Sequence, residues 1–97
     1  MKAVIVTYIV KKGKEKAFEK VLRKHWRQLC KEKLTTAQAP FLLRDPENPT
    51  VYKEVFEWKT ASSIGRAYKH AAGQKIWDQM RDLTEEGGIE PAHFKRI

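Results

Sequence analysis

Residues 3–33, AVIVTYIVKKGKEKAFEKVLRKHWRQLCKEK, decide the fold, because their hydrophobic periodicity changes from that of a strand to that of a helix. The first eight residues are apolar and rich in β-branched side chains, which favours a β-strand. After the turn at Gly13, apolar residues recur every three or four positions from Lys14 to Lys33. This spacing is typical of an amphipathic helix. The stretch therefore predicts a strand followed by a long helix.

The rest of the chain predicts two more strands, a pair of helices and a last strand. These elements are expected at Phe41 to Arg44, Val51 to Trp58, residues 60–72, residues 74–85 and residues 92–97. Gly73 is expected to break or bend the helical region, and Gly87-Gly88 to end it. The resulting order is the split βαβ order of a ferredoxin-like α+β domain. We therefore expect one domain over residues 1–97, an antiparallel four-stranded sheet with helices on one face.

A sheet covered on one face leaves its other face bare, and the strands here are apolar on both faces. From the first strand, we expect the bare face to carry either Val4, Val6, Tyr8 and Val10 or the residues that alternate with them. From the third strand, we expect it to carry the more apolar set, which is Tyr52, Phe56 and Trp58. A contiguous apolar patch is unusual on a soluble monomer, so we expect a homodimer through the open sheet face. The alternative is that the C-terminal segment covers the face, or that the face stays partly wet.

The charge of the chain is strongly basic, with a formal net value of +8. Ten of the 20 basic residues lie between Lys11 and Lys33. A basic surface of this kind can bind nucleic acid, anionic lipid or an acidic ligand. The simpler interpretation is that these side chains form the solvent-exposed face of the first helix. The single cysteine, Cys30, allows no intramolecular disulfide and indicates a reducing compartment, which predicts the cytoplasm. The apolar run at the start is too short to span a membrane, so no membrane partner is expected.

An RNA-binding module is one rival interpretation, because the RNA recognition motif has the same order of strands and helices. It would need aromatic side chains on the open sheet face. However, VYKEVFEW (residues 51–58) lacks the alternating glycine and aromatic pattern of that motif. It also places Glu54 and Glu57 where phosphates would approach. A nucleic-acid partner is therefore disfavoured.

Three segments resemble the antibiotic-biosynthesis-monooxygenase-like family of dimeric α+β barrels. They are KKGKEKAFEKVLRKH (residues 11–25), EVFEWKTASS (residues 54–63) and RAYKHAAGQKIWDQM (residues 66–80). The resemblance implies a dimer with a pocket between the sheet and the helices. Several members of the family oxygenate aromatic polyketides or quinones without a metal or flavin. The resemblance thus implies a cofactor-independent monooxygenase acting on a small aromatic or quinone-type ligand, with no cofactor.

Cofactor-free oxygenation needs a base, aromatic packing and exclusion of water. On the resemblance, the catalytic candidates are His70, Tyr68 and His25, and the ligand-binding candidates are Trp58, Trp77, Trp26 and Tyr8. Tyr68 and His70 are two positions apart, about 200° around a helix, so only one of them can face a pocket.

Haem degradation and metal binding are two other possibilities that the sequence disfavours. Haem degradation is disfavoured, because the first strand offers Thr7 and no asparagine, and Trp77 stands where haem-binding relatives have a histidine. A metal site is not predicted, because the three histidines lie far apart in the sequence. The remaining alternative is a non-catalytic dimer that binds a small molecule or serves in stress, and its pocket residues would look the same in the sequence.

Overall fold

A computed structural model describes residues 2–97 of the chain. Its elements are β1 (Lys2–Val10), α1 (Glu15–Lys31), β2 (Phe41–Arg44), β3 (Val51–Glu57), α2 (Ala61–Lys69), α3 (Ala71–Leu83) and β4 (Thr84–Lys95). The strands form one sheet in the order β2-β3-β1-β4, and every neighbouring pair is antiparallel. The predicted ferredoxin-like α+β fold is confirmed.

The core lies between the sheet and the helices. In β1, the buried side chains are those of Val4, Val6, Tyr8 and Val10. Phe18 of α1 packs its ring 5.0 Å from that of Tyr8. The alternate residues of β1 point to the other face of the sheet, as the pleat requires.

The expectation that the aromatic set of β3 lies on the bare face is wrong. Tyr52, Phe56 and Trp58 are buried beneath the helices. The ring of Phe18 lies 5.2 Å from that of Tyr52, and these large side chains fill the space under α1. The aromatic residues of β1 and β3 on which an RNA-binding interpretation relies are therefore inside the core.

The open face of the sheet nevertheless remains apolar. Its partly exposed residues include Ile5 of β1 and Val55 of β3, which lie directly opposite each other. The large exposed side chains at its edges are Phe41, Leu43 and Phe94. The apolar open face predicted from the sequence thus exists, although the other set of residues forms it, and pairing of two chains through it stays a prediction.

The break between the two C-terminal helices falls at His70 and not at Gly73. His70 has an extended backbone, with φ −82° and ψ 119°. Gly73 lies inside α3, where the amide of Gln74 donates to the carbonyl of His70. No proline follows Gly73 within α3, and the helix continues to Leu83.

The last strand is longer than the sequence predicts, and Gly87-Gly88 lies within it instead of ending a helix. β4 begins at Thr84, directly after α3. Its register against β1 shifts between Tyr8 and Val10, which marks a bulge. Gly87 has φ +69°, a conformation that glycine adopts without strain. Pairing with β1 therefore extends a strand that has little apolar signal of its own.

No helix within the described residues has the length and apolar character to cross a bilayer.

Candidate active site

A small cavity of about 30 Å³ lies between the sheet and the helices. Its floor includes Val4, Phe56 and His93 from three neighbouring strands. Its walls include His25 of α1 and Trp77 of α3. The cavity therefore combines an aromatic lining with two imidazole rings, in the layer where the family resemblance implies a pocket.

A chain of buried hydrogen bonds runs beneath this cavity. Glu54 of β3 is fully buried, and its two carboxylate oxygens have different partners. The hydroxyl of Tyr8 donates to Oε1 at 2.7 Å, and Nδ1 of His25 lies 3.1 Å from Oε2. A buried carboxylate is costly unless it is hydrogen-bonded, and both oxygens of Glu54 are.

Burial, reinforced by the charge and the hydrogen bond of Glu54, raises the pKa of Tyr8 well above its ordinary value. Tyr8 therefore keeps its proton and remains a donor. A carboxylate has only acceptor atoms, so it favours the His25 tautomer that carries hydrogen on Nδ1. In the neutral imidazole, Nε2 is then the basic nitrogen. This is the arrangement in which an acid orients a histidine to act as a base.

Aromatic rings hold His25 in place on two sides. The His25 ring lies 5.5 Å from the ring of Trp77 and 6.5 Å from that of Phe56, both edge to face. Phe56 in turn packs 5.0 Å from Trp58. With Glu54 on Nδ1, these contacts leave the imidazole little rotational freedom, which suits a pre-oriented group.

Trp58 has an unused hydrogen-bond donor. The residue lines the cavity and is 7% exposed, yet its indole Nε1 is buried without a partner among the described residues. Buried tryptophan N–H groups usually find a partner. A ligand with a carbonyl oxygen could supply that acceptor.

The structure places the predicted site residues in three groups. His25, Tyr68, Trp58 and Trp77 all line the cavity. Tyr8 lies below it and reaches His25 through Glu54.

His70 and Trp26 lie outside the cavity lining. The imidazole of His70, at the junction of α2 and α3, has Nε2 3.3 Å from Glu32, the residue directly after α1. Trp26 is half-buried on α1, one position beyond His25. The cavity thus takes Tyr68 and not His70, because His70 lies past the end of α2 with an extended backbone and faces Glu32.

Sequence reasoning missed Glu54 and His93 as parts of the site. An acidic residue in a strand usually faces water, but Glu54 alternates onto the same face as Tyr52 and Phe56. A carboxylate on the same strand face as these aromatic residues was the feature of the sequence that indicated burial of Glu54. His93 could be assigned only once β4 was paired with β1, which puts it opposite Val4.

No group of three or more histidine, cysteine or acidic side chains suited to a metal occurs within residues 2–97.

Several solved structures share the fold of this chain. A provisionally named antibiotic biosynthesis monooxygenase from Nitrosomonas europaea matches with a TM-score of 0.83 and 21% identity, over 100% of this chain and 99% of the other. SnoaB, a cofactor-independent oxygenase from Streptomyces nogalater, matches in a mutant form with a TM-score of 0.81 and 17% identity, over 98% and 92%. The chain has the antibiotic biosynthesis monooxygenase fold.

A conserved protein from Methanosarcina mazei has the same fold as this chain, with a TM-score of 0.84 and 17% identity, over 99% of this chain and 92% of the other. No protein-family model matches the chain, and no curated protein does. At these identities the likeness establishes the fold, so any activity has to be argued from the chain's own residues.

Proposed function

We propose that the protein is a cofactor-independent monooxygenase that acts on a small aromatic or quinone-type molecule in the cavity between sheet and helices. The observation that carries the proposal is the buried chain from Tyr8 through Glu54 to His25, which ends at an imidazole lining the cavity. A buried acid paired with a histidine at a cavity wall is a typical feature of functional sites.

In the proposed reaction, His25 Nε2 removes a proton from a ring carbon or hydroxyl group of the substrate. The carbanion or phenolate that forms is delocalised over the ring and is the reductant for O₂. For a ring ketone with an acidic CH₂ group, one oxygen atom becomes a new ketone. The other leaves as water with the two hydrogens of the CH₂. Glu54 orients the imidazole and stabilises its cationic form.

Trp58 and Trp77 have supporting roles in this proposal. The free indole N–H of Trp58 donates to a carbonyl oxygen of the substrate, where negative charge accumulates after deprotonation. Trp77 packs beside His25 and excludes water from the reacting atoms. Both roles require a planar, oxygen-bearing ring.

The test is incubation with a panel of polyphenols, quinols and ring ketones, with and without oxygen, followed by mass spectrometry with ¹⁸O₂. We expect an oxygen-dependent product that carries one labelled atom. Identical products in air and in its absence would refute oxygenase activity. If such a panel member still raises the melting temperature, the protein is a binding protein without turnover.

Two histidine variants test the residue assignment. His25→Ala should lower kcat by about 10²- to 10⁴-fold, the usual contribution of a general base. His70→Ala makes the same change at the histidine that pairs with Glu32 outside the cavity, and we expect near wild-type turnover. Loss of activity in His70→Ala alone would mean that the base is misassigned.

The open sheet face supports a homodimer as the working form of the enzyme. The central strands contribute Ile5 and Val55 to this face, and Leu43 of β2 is 49% exposed on it. Closed pairing of two such faces would bury them on both protomers. The proposed active site lies on the opposite side of the sheet, so the dimer contact leaves it free.

A further inference from the structure

A second, larger depression lies just outside the cavity. It has a volume of about 470 Å³ and runs along α3 and the first half of β4. Its polar wall includes Arg81, Glu85 and Glu86. We call the two spaces the inner cavity and the outer groove.

Tyr68, Trp77 and Pro91 line both spaces. They therefore form the partition between the inner cavity and the outer groove. Pro91 is held in β4 opposite Val6, and Trp77 packs against His25. Tyr68 is different, because it is 55% exposed and lies one residue before the end of the nine-residue α2. Of the three partition residues, it is the one free to turn away.

The inner cavity is too small for an aromatic ring as it stands. Its 30 Å³ compares with about 150 Å³ for an apolar cavity that binds benzene. A ring can enter only if part of the wall moves. Rotation of the Tyr68 side chain would open the inner cavity into a groove of the size that small ligands occupy.

We propose that the inner cavity and the outer groove are one binding site divided by the Tyr68 side chain, and that its ligand has an aromatic ring at the inner end and an uncharged, hydroxyl-rich extension at the outer end. The inner part of this inference rests on the proposed function, whereas the outer part rests on the lining of the groove.

The charges of the outer groove favour such an extension. Glu85 and Glu86 have no ion-pair partner within residues 3–97, so their carboxylates are free to accept hydrogen bonds from hydroxyl groups. Two carboxylates would repel an anionic extension. Arg81, whose charge is offset by Asp78 at 3.6 Å, adds a hydrogen-bond donor to the same wall. Hydroxyl groups can accept from Arg81 and donate to the two carboxylates, whereas an ammonium group can only donate.

Three ligands that share one ring test the inference by isothermal titration calorimetry on the full chain. They are hydroquinone, its β-glucoside and 4-hydroxyphenoxyacetate. We expect the glucoside to bind about tenfold more tightly than hydroquinone, a gain of a few new hydrogen bonds. The carboxylate should bind no more tightly than hydroquinone.

Variants locate the two ends of the ligand. Glu85→Ala with Glu86→Ala should remove the advantage of the glucoside and leave hydroquinone binding unchanged. Glu47→Ala, an exposed acid in the loop between β2 and β3, is the matched control. Tyr68→Ala should speed the association of hydroquinone by several-fold, measured by stopped-flow tryptophan fluorescence, because the partition is gone.

The inference is overturned if the glucoside binds no better than hydroquinone, if neither binds, or if Tyr68→Ala leaves the association rate unchanged. Since these measurements need no turnover, they separate the two proposals. Preferential binding of the glucoside without any oxygen-dependent product would refute only the monooxygenase. Oxygenation of bare rings without a preference for the extension would refute only the two-part site.

Discussion

At the scale of single residues, Glu54 joins the stability of the core to the proposed chemistry. Replacing it by leucine leaves the hydroxyl of Tyr8 and Nδ1 of His25 buried without their acceptor. Removing one partner of a buried polar pair is far more costly than replacing the whole pair. Glu54 therefore contributes to the stability of the core and also to the orientation of His25.

We expect Glu54→Leu to lower the free energy of unfolding by about 3 kcal/mol, measured by urea denaturation. Glu57→Leu is the matched control on the same strand, because Glu57 lies on the open face and pairs with the exposed Arg96. That control should change stability by less than about 1 kcal/mol. Equal effects of the two substitutions would contradict a structural role for the buried chain.

Tyr52 gives a prediction for alkaline pH. Burial, followed by the hydrogen bond to Glu19, raises the pKa of Tyr52 to about 12 from 10.0. Between these values the folded state holds a proton that the unfolded state has lost. Stability from this group is thus complete below pH 10 and declines as the pH rises towards 12.

Tyr52→Phe should therefore flatten the decline of unfolding free energy between pH 10 and 12, measured by urea titrations at several pH values. Part of the decline should remain, because the pKa of Tyr8 is also raised. If the wild-type and variant curves run parallel over this range, Tyr52 does not ionise on unfolding as proposed.

At the scale of elements, periodicity predicts most of the fold, and pairing between strands explains what it misses. Alternation in β3 and the helical spacing in α1 come from burial on one face, and the apolar, β-branched run of β1 is itself a strand signal, so each of these segments can be predicted locally. The start of β4 has no hydrophobic pattern, because Thr84–Gly88 contains no apolar side chain. Thr84 pairs with Val10, and the next four residues form the bulge before pairing with β1 resumes at Ile89, which no local pattern reveals.

The same distinction holds for the candidate site. His25 and Trp77 could be assigned to the helical side of the sheet because residue type and helix face are both local properties, whereas the strand face of Trp58 could not be fixed by spacing alone. The link from His25 to Glu54 spans 29 positions and depends on how α1 crosses β3. Its tertiary origin explains why the chemically most informative contact was not predicted.

Gly88 tests how closely β4 packs on β1, and Gly65 in α2 is the control. A Cβ atom on Gly88 would lie 2.8 Å from the carbonyl oxygen of Glu85 and 2.9 Å from that of Ile9. Gly88→Ala should therefore destabilise the fold by about 2 kcal/mol or more through backbone strain. Gly65→Ala in α2 meets nothing within 4 Å and should stabilise it by up to about 1 kcal/mol. Thermal unfolding of both variants distinguishes strain from a general intolerance of alanine.

At the scale of the whole molecule, the two faces of the sheet have separate tasks. The helix-covered face holds the core and the buried chain that ends at His25. The open face keeps apolar side chains at its centre and edges, which a soluble chain would rarely leave uncovered. The proposed dimerisation through this face would therefore remove apolar surface from water without obstructing the inner cavity or the outer groove.

Leu43→Lys should convert the dimer into a monomer, because it places a charge in an apolar contact that must be desolvated on both protomers. Size-exclusion chromatography with light scattering measures the outcome at micromolar concentrations. Tyr68→Lys is the matched control, since Tyr68 is similarly exposed but lies on the helical side; it should remain a dimer. A monomeric wild type, or a dimeric Leu43→Lys, would mean that the open face is not the contact. If the monomer retains its circular dichroism spectrum and its ligand affinity, each protomer holds a complete site, as the position of the inner cavity within one chain requires.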